Sequence, residues 1–168
     1  VKGLGLSHSV RGAEPHAGFE EDEILHFMRK LAEHGVVATL SANGVAKGHI
    51  DTDRWAFHAL GPGVATRGAT VGACLDVALP PLRDAGLPVG AGTTRVREGI
   101  GVLVLDWLVD QGMTVFLKAD GGRRVPGWTL IVDGGPLLRM QRFDGPRIEK
   151  CLRRLVHGLE AGGLRVPV

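Results

Sequence analysis

The sequence predicts an α+β domain built on antiparallel sheet, a hairpin plus a three-stranded meander packed by amphipathic helices. Three observations carry that reading. Strand-like runs follow one another without the strand–helix–strand alternation that a parallel sheet needs. The pair Asn43-Gly44 suits a type I′ hairpin turn, whose two central residues both require positive φ. At Asp144 the hydrophobic period switches from 2 to 3.6, which marks a closing helix.

The elements follow in order. Residues 1–20 show neither period and read as a flexible leader, with 21–168 as one domain. In "EEDEILHFMRKLAEHG", Ile24, Phe27, Met28 and Leu31 form one helical stripe. Acidic residues Glu20 to Glu23 lie at its positive end, Lys30 and His34 near its negative end, and Gly35 suits a left-handed cap. Strands are expected at 36–42 and 45–50 around the Asn43-Gly44 turn, and a third near 54–60. "GPGVATRGAT" reads as loop, and "VGACLDVAL" as a short helix stopped or kinked by Pro80-Pro81. Ile100, Leu103, Val104, Trp107 and Leu108 fit a mostly buried helix that ends at Gly112. The meander strands fall at 113–119, 128–133 and 137–143. Pro146 suits the first position of the last helix, whose apolar face is Ile148, Cys151, Leu152, Leu155 and Leu159. The two halves hint at a loose pseudo-repeat with no sequence identity behind it.

Composition bounds the function. At 168 residues, with 44% hydrophobic and 23% charged side chains, the chain has the material for one folded core and is not a disordered tract. Its 26 glycines have no collagen period and favour many turns. No apolar run reaches the ~18 residues of a membrane helix. The opening residues lack a signal-peptide pattern, so a soluble cytoplasmic protein is expected. A net charge of +2 is too small to argue for a nucleic-acid partner. Cys74 and Cys151 form no CxxC pair and are expected as packed, inert thiols.

Candidate chemistry is sparse. In "GHIDTDRW", His49, Asp51 and Asp53 would share one face of a strand, where they could gather a metal or simply line a solvated surface. Ser7, Ser9 and Ser41 sit in no nucleophile elbow. "GLGLSHS" follows no strand and makes no phosphate-binding fingerprint, and "GAGTTR", which could cradle an anion with Arg95, is one of many glycine loops here and is set aside. The expectation is a protein without metal or organic cofactor, and not an enzyme. Arg147, Lys150, Arg154 and His157 form a basic stripe on the last helix, read as a solvated face since Glu149 and Glu160 flank it. Trp55, Trp107 and Trp128 are expected in packing roles.

Two likenesses add to this. The helix, "MTVFLKADGGRRVPGWTLIVDGGPLL" and the basic amphipathic helix, about residues 97 to 160, resemble small actinobacterial immunity proteins. The shared texture is the K-x-D-G tip with its arginine and the W-T-L strand after it. The resemblance implies an antitoxin that neutralises a secreted polymorphic toxin, such as one with an NAD-glycohydrolase domain, by occluding its active cleft. Its contact surface would be the tip, Asp120, Arg123 and Arg124, beside Trp128. The partner would be a protein, not nucleic acid or a membrane. The second likeness lies in "HGVVATLSANGVAKGHID", which resembles the entry of flavin-binding split-barrel oxidoreductases, without their basic phosphate-binding positions.

Overall fold

A computed structural model describes residues 19, 22–44, 52–90 and 97–167, and among them four helices and six strands follow one another. The order is α1 (Glu23–Glu33), β1 (Val37–Ala42), β2 (Trp55–Leu60), β3 (Val64–Gly68), α2 (Val71–Asp84), α3 (Ile100–Asp110), β4 (Met113–Asp120), β5 (Gly127–Gly134), β6 (Gln141–Gly145) and α4 (Ile148–Ala161). The strands form one sheet in the order β3-β2-β1-β4-β5-β6, antiparallel at every pairing, so the α+β class stands. Among the described residues the sheet is open, ending at β3 and β6, and differs from the barrel that the split-barrel likeness implies.

One face of the sheet is buried from end to end. Aligned positions Phe57, Leu40, Leu117 and Leu130 are each fully buried, as are Ala59, Ala38 and Ala119 in the neighbouring row. Against this face pack α2 on β2 and β3, α1 on β1 and β4, α3 on β4, and α4 on β5 and β6. Successive strand residues point to opposite faces, so Val37, Thr39, Ser41, Phe116, Lys118 and Ile131 share the outer face, and all six are half-buried. No helix among the described residues covers it.

Several boundaries differ from the sequence expectation. Asn43-Gly44 is not a hairpin turn: Asn43 does not have positive φ, and β1 pairs with β2, Ala42 lying opposite Trp55. The strand expected at 45–50 lies outside the described residues. Gly44 is glycine for space, since a Cβ there would run into the backbone of Gly112 and Met113. The stretch read as loop after Gly61 contains β3. Pro80 and Pro81 do not stop α2, which runs on to Asp84. Both prolines are exposed, and of the carbonyls they leave without a helical partner, that of Val77 lies on an exposed residue where water can serve it. The last strand begins at Gln141, after Leu138 has turned fully to solvent, and not at 137. Pro146 precedes the N-cap Arg147 instead of opening α4. Phe19, placed in the leader, is buried in the core.

The second half of the chain repeats the first at an offset of 77 residues. Glu23–Glu33 corresponds to Ile100–Asp110, Val64–Gly68 to Gln141–Gly145, and Val71–Asp84 to Ile148–Ala161. Buried Val71, Cys74, Leu75, Ala78, Leu79 and Leu82 of α2 fall on buried Ile148, Cys151, Leu152, Leu155, Val156 and Leu159 of α4. Gly35 and Gly112 turn from helix to strand with φ of 79° and 83°, a left-handed conformation that favours glycine. The offset between β2 and β5 is 73, because Trp55 lies 13 positions after Ala42 and Trp128 only nine after Ala119. In each half an alanine, a tryptophan and a glycine then stand side by side: Ala42, Trp55 and Gly68, and Ala119, Trp128 and Gly145. The missing glycine side chain leaves room beside the indole. "LAEHGVVATLSANG" (31–44) aligned on "LVDQGMTVFLKADG" (108–121) keeps leucine, glycine, leucine, alanine and glycine in place. Identity does support the repeat, contrary to the sequence expectation.

The repeats are related by a pseudo-two-fold axis at the middle of the sheet. Leu40 and Leu117 are equivalent by the offset and also lie directly opposite each other in the β1–β4 pair. Near this joint a single carboxylate serves two helix N-termini. Asp22 Oδ1 accepts from the N–H groups of Ile24 and Leu25 at 3.0 and 3.1 Å, capping α1, while Oδ2 accepts from Val102 N–H of α3 at 2.9 Å. Gly99, the equivalent of Asp22, supplies no cap of its own, and a Cβ there would come within 2.8 Å of Asp22. Burial pushes the Asp22 carboxyl above its usual range, and the three N–H bonds hold it back.

Candidate functional site

The tip between β4 and β5 is continuous with the outer face. Asp120 lies opposite Val37, so its carboxylate belongs to that face. It is nearly buried and collects three donors: Lys118 Nζ at 2.9 Å, Arg123 Nε at 2.9 Å and Gly122 N–H at 3.2 Å. These hold its carboxyl below the usual range, the Lys118 hydrogen bond contributing most. Asp120 is therefore the anchor that orders the tip. Arg123 and Arg124 are exposed. Trp128 is 3% exposed and lies on the inner face opposite Ala119, so its side chain offers a partner no surface. Of the four predicted contact residues, the structure leaves two arginines at the surface and puts Asp120 beneath them.

A second charged group, not picked out from the sequence, continues the row. Lys118 stands opposite Thr129, and Thr129 opposite Asp144. The Thr129 hydroxyl donates to Asp144 at 2.7 Å, and Arg142 grips the same carboxylate at 2.8 and 3.2 Å. Arg142 first, and Thr129 second, draw the Asp144 pKa down to about 2. Phe116 and Ile131 are paired in the adjoining row, between Ser41 and Arg142. The alternation in "MTVFLKAD" could have shown that Phe116 and Lys118 share a face. It could not have shown that Asp144 joins them, since that depends on register.

The remaining candidates are placed elsewhere. His49 and Asp51 lie outside the described residues, and Asp53 is exposed. Among the described residues no three His, Cys, Asp or Glu side chains gather as metal ligands would. Lys150, Arg154 and His157 are exposed on α4, with the Arg154 guanidinium 5.3 Å from the centre of the Phe143 ring. Cys74 and Cys151 are buried free thiols; burial pushes the Cys74 pKa up to about 11 and raises that of Cys151, so neither offers a ready thiolate. No helix among the described residues is long and apolar enough to cross a membrane. Comparison with protein-family models, with curated proteins and with solved structures finds no match for this chain.

Proposed function

We propose that the protein is a non-enzymatic binding protein that occludes the working cleft of a protein partner, in the manner of the immunity proteins its C-terminal half resembles. The observation that supports this reading is the one-sided sheet. All four helices pack on one face, and the other presents Phe116 and Ile131 in its middle, next to Lys118 and Arg142 and the Arg123–Arg124 tip. Interfaces concentrate their energy in arginine and aromatic anchors ringed by polar groups, and the outer face has both kinds. Asp120 and Asp144 hold three of the cations in place before any partner arrives, which lowers the ordering cost of binding.

The test is calorimetry against the product of the neighbouring gene, or another protein that co-purifies with this one. Arg123→Ala with Arg124→Ala is expected to weaken binding by at least about 2 kcal/mol. The melting temperature should hardly move, because exposed charge pairs contribute little to folding. Unchanged affinity in that variant would dismiss the tip as the contact.

A further inference from the structure

The repeat supplies an internal control for the outward side of α3. The offset of 77 aligns α3 with α1, and both helices bury the same positions, Ile24, Met28 and Leu31 matching Gly101, Leu105 and Leu108. Their outward stripes differ. Positions i, i+3 and i+7 carry Glu23, His26 and Lys30 on α1, all exposed, and Ile100, Leu103 and Trp107 on α3. Ile100 is 42% and Leu103 54% exposed, and Trp107 is half-buried. The same surface, built twice in one molecule, is polar in one copy and apolar in the other.

An apolar stripe at i, i+3 and i+7 is the seam along which one helix packs on another. Charges at the two ends of α3 fit a particular second helix. Arg97, exposed, stands just ahead of the α3 N-terminus. Asp110, exposed, ends the helix, where the macrodipole disfavours a carboxylate and no basic side chain of the last turn offsets it. Arg54 holds its Oδ1 at 2.7 Å, and its Oδ2 has no partner among the described residues. A second α3 laid antiparallel on the first brings Arg97 of each copy toward Asp110 of the other. The same placement sets Ile100 against Trp107 and puts Leu103 beside its own equivalent.

We infer that the Ile100–Leu103–Trp107 stripe is an interface between two copies of this chain, joined through antiparallel α3 helices about a two-fold axis at Leu103. The contact is isologous, each copy giving the same patch and the same two end charges, so it closes as a dimer. Its α1 counterpart stays solvated, because Glu23, His26 and Lys30 offer no apolar seam. An 11-residue helix is only about 16 Å long, so the interface is below standard size and the dissociation constant is on the order of 10–100 μM. All four helices lie on one side of the sheet, so the dimer turns both outer sheet faces away from the axis. The inference does not depend on the proposed function.

The experiment is sedimentation velocity of the full chain across a dilution series from about 1 to about 500 μM, which brackets that affinity. The mean mass is expected to rise from 17.8 kDa toward twice that value. Ile100→Glu with Leu103→His installs the side chains that α1 carries at these positions. It changes exposed groups only, so the melting temperature should hold while association weakens at least about ten-fold. Leu103→Cys, on the axis, should give a disulfide-linked dimer under air oxidation. Leu138→Cys, at an apolar side chain fully exposed on the β5–β6 turn, should not. A chain that stays at monomer mass to the highest concentration overturns the inference and leaves the stripe to a different protein. A dimer that the double variant does not weaken, or that cross-links as readily at Leu138→Cys as at Leu103→Cys, overturns it as well.

Discussion

Asp22 shows how much one side chain can hold in this protein. It satisfies three buried N–H groups on two helices that belong to different repeats, so its loss uncaps both. Asp22→Ala is expected to cost about 2–4 kcal/mol in urea denaturation, the cap and the stranded donors together. A loss below about 1 kcal/mol would mean that water replaces the carboxylate freely. Asp144 makes a pH-dependent case. Its folded pKa of about 2 lies below the ordinary value of 3.8, so its stabilising contribution is fully present above that ordinary value and fades as pH falls through 2. Wild type should therefore exceed Asp144→Asn in urea midpoint at pH 7, and the gap should close as pH approaches 2. A gap that widened in acid would contradict the Arg142–Asp144–Thr129 assignment.

Among the elements, glycines separate close packing from helix propensity. Gly121 follows β4, where a Cβ would come within 2.5 Å of the carbonyl oxygens of Ala32 and Val36. Gly121→Ala must push the α1–β1 corner away, at a cost of roughly 1–3 kcal/mol. Gly158 lies exposed within α4, and its nearest neighbour to a Cβ is Gln141 Oε1 at 3.6 Å, an ordinary contact. Gly158→Ala should raise stability by about 0.5–1 kcal/mol, since alanine loses less backbone freedom in a helix. Thermal melts of the two variants are expected to shift in opposite directions, and a shared direction would argue against the packing at Gly121. Trp128→Ala belongs to the same scale. Removing an indole buried beside Gly145 should cost about 3–5 kcal/mol, against a near-zero effect for the exposed tip arginines.

For the whole molecule, the pseudo-two-fold axis makes β1–β4 the seam between two copies of one unit, α-β-β-β-α. Each unit alone would leave the edge of its first strand unpaired at the centre of what is now a six-stranded sheet. Residues 97–168 expressed alone are therefore expected to form a homodimer, β4 against β4 with Leu117 on the axis. Light scattering coupled to size exclusion would read the mass directly. A stable monomer would mean that the seam is not needed for folding. Because the seam joins the halves in one core, the thiols of Cys74 and Cys151 should also become reactive together. Maleimide labelling across a urea series should follow one transition for both, and early labelling of one would show that its half opens alone.

Local chemistry alone was enough to locate α1, α3, α4, β1, β4 and β5 and to assign both cysteines to buried faces. A period of 3.6 or 2 is set by the covalent geometry of neighbouring residues, and burial of the matching face needs no knowledge of the partner. The Asn43-Gly44 pair had a plausible local reading that tertiary structure overrode, because β1 finds β2 and Gly44 is needed to admit the other repeat's backbone. The repeat itself was written in the chain, but as a burial pattern with few identities: α2 and α4 keep the same six inward positions while their outward residues differ in charge and size. The pairing of charges depended on tertiary structure. Asp144 meets Arg142 two residues away on its own strand, but its link to the Lys118 row runs through Thr129, a cross-strand neighbour that only register brings to 2.7 Å.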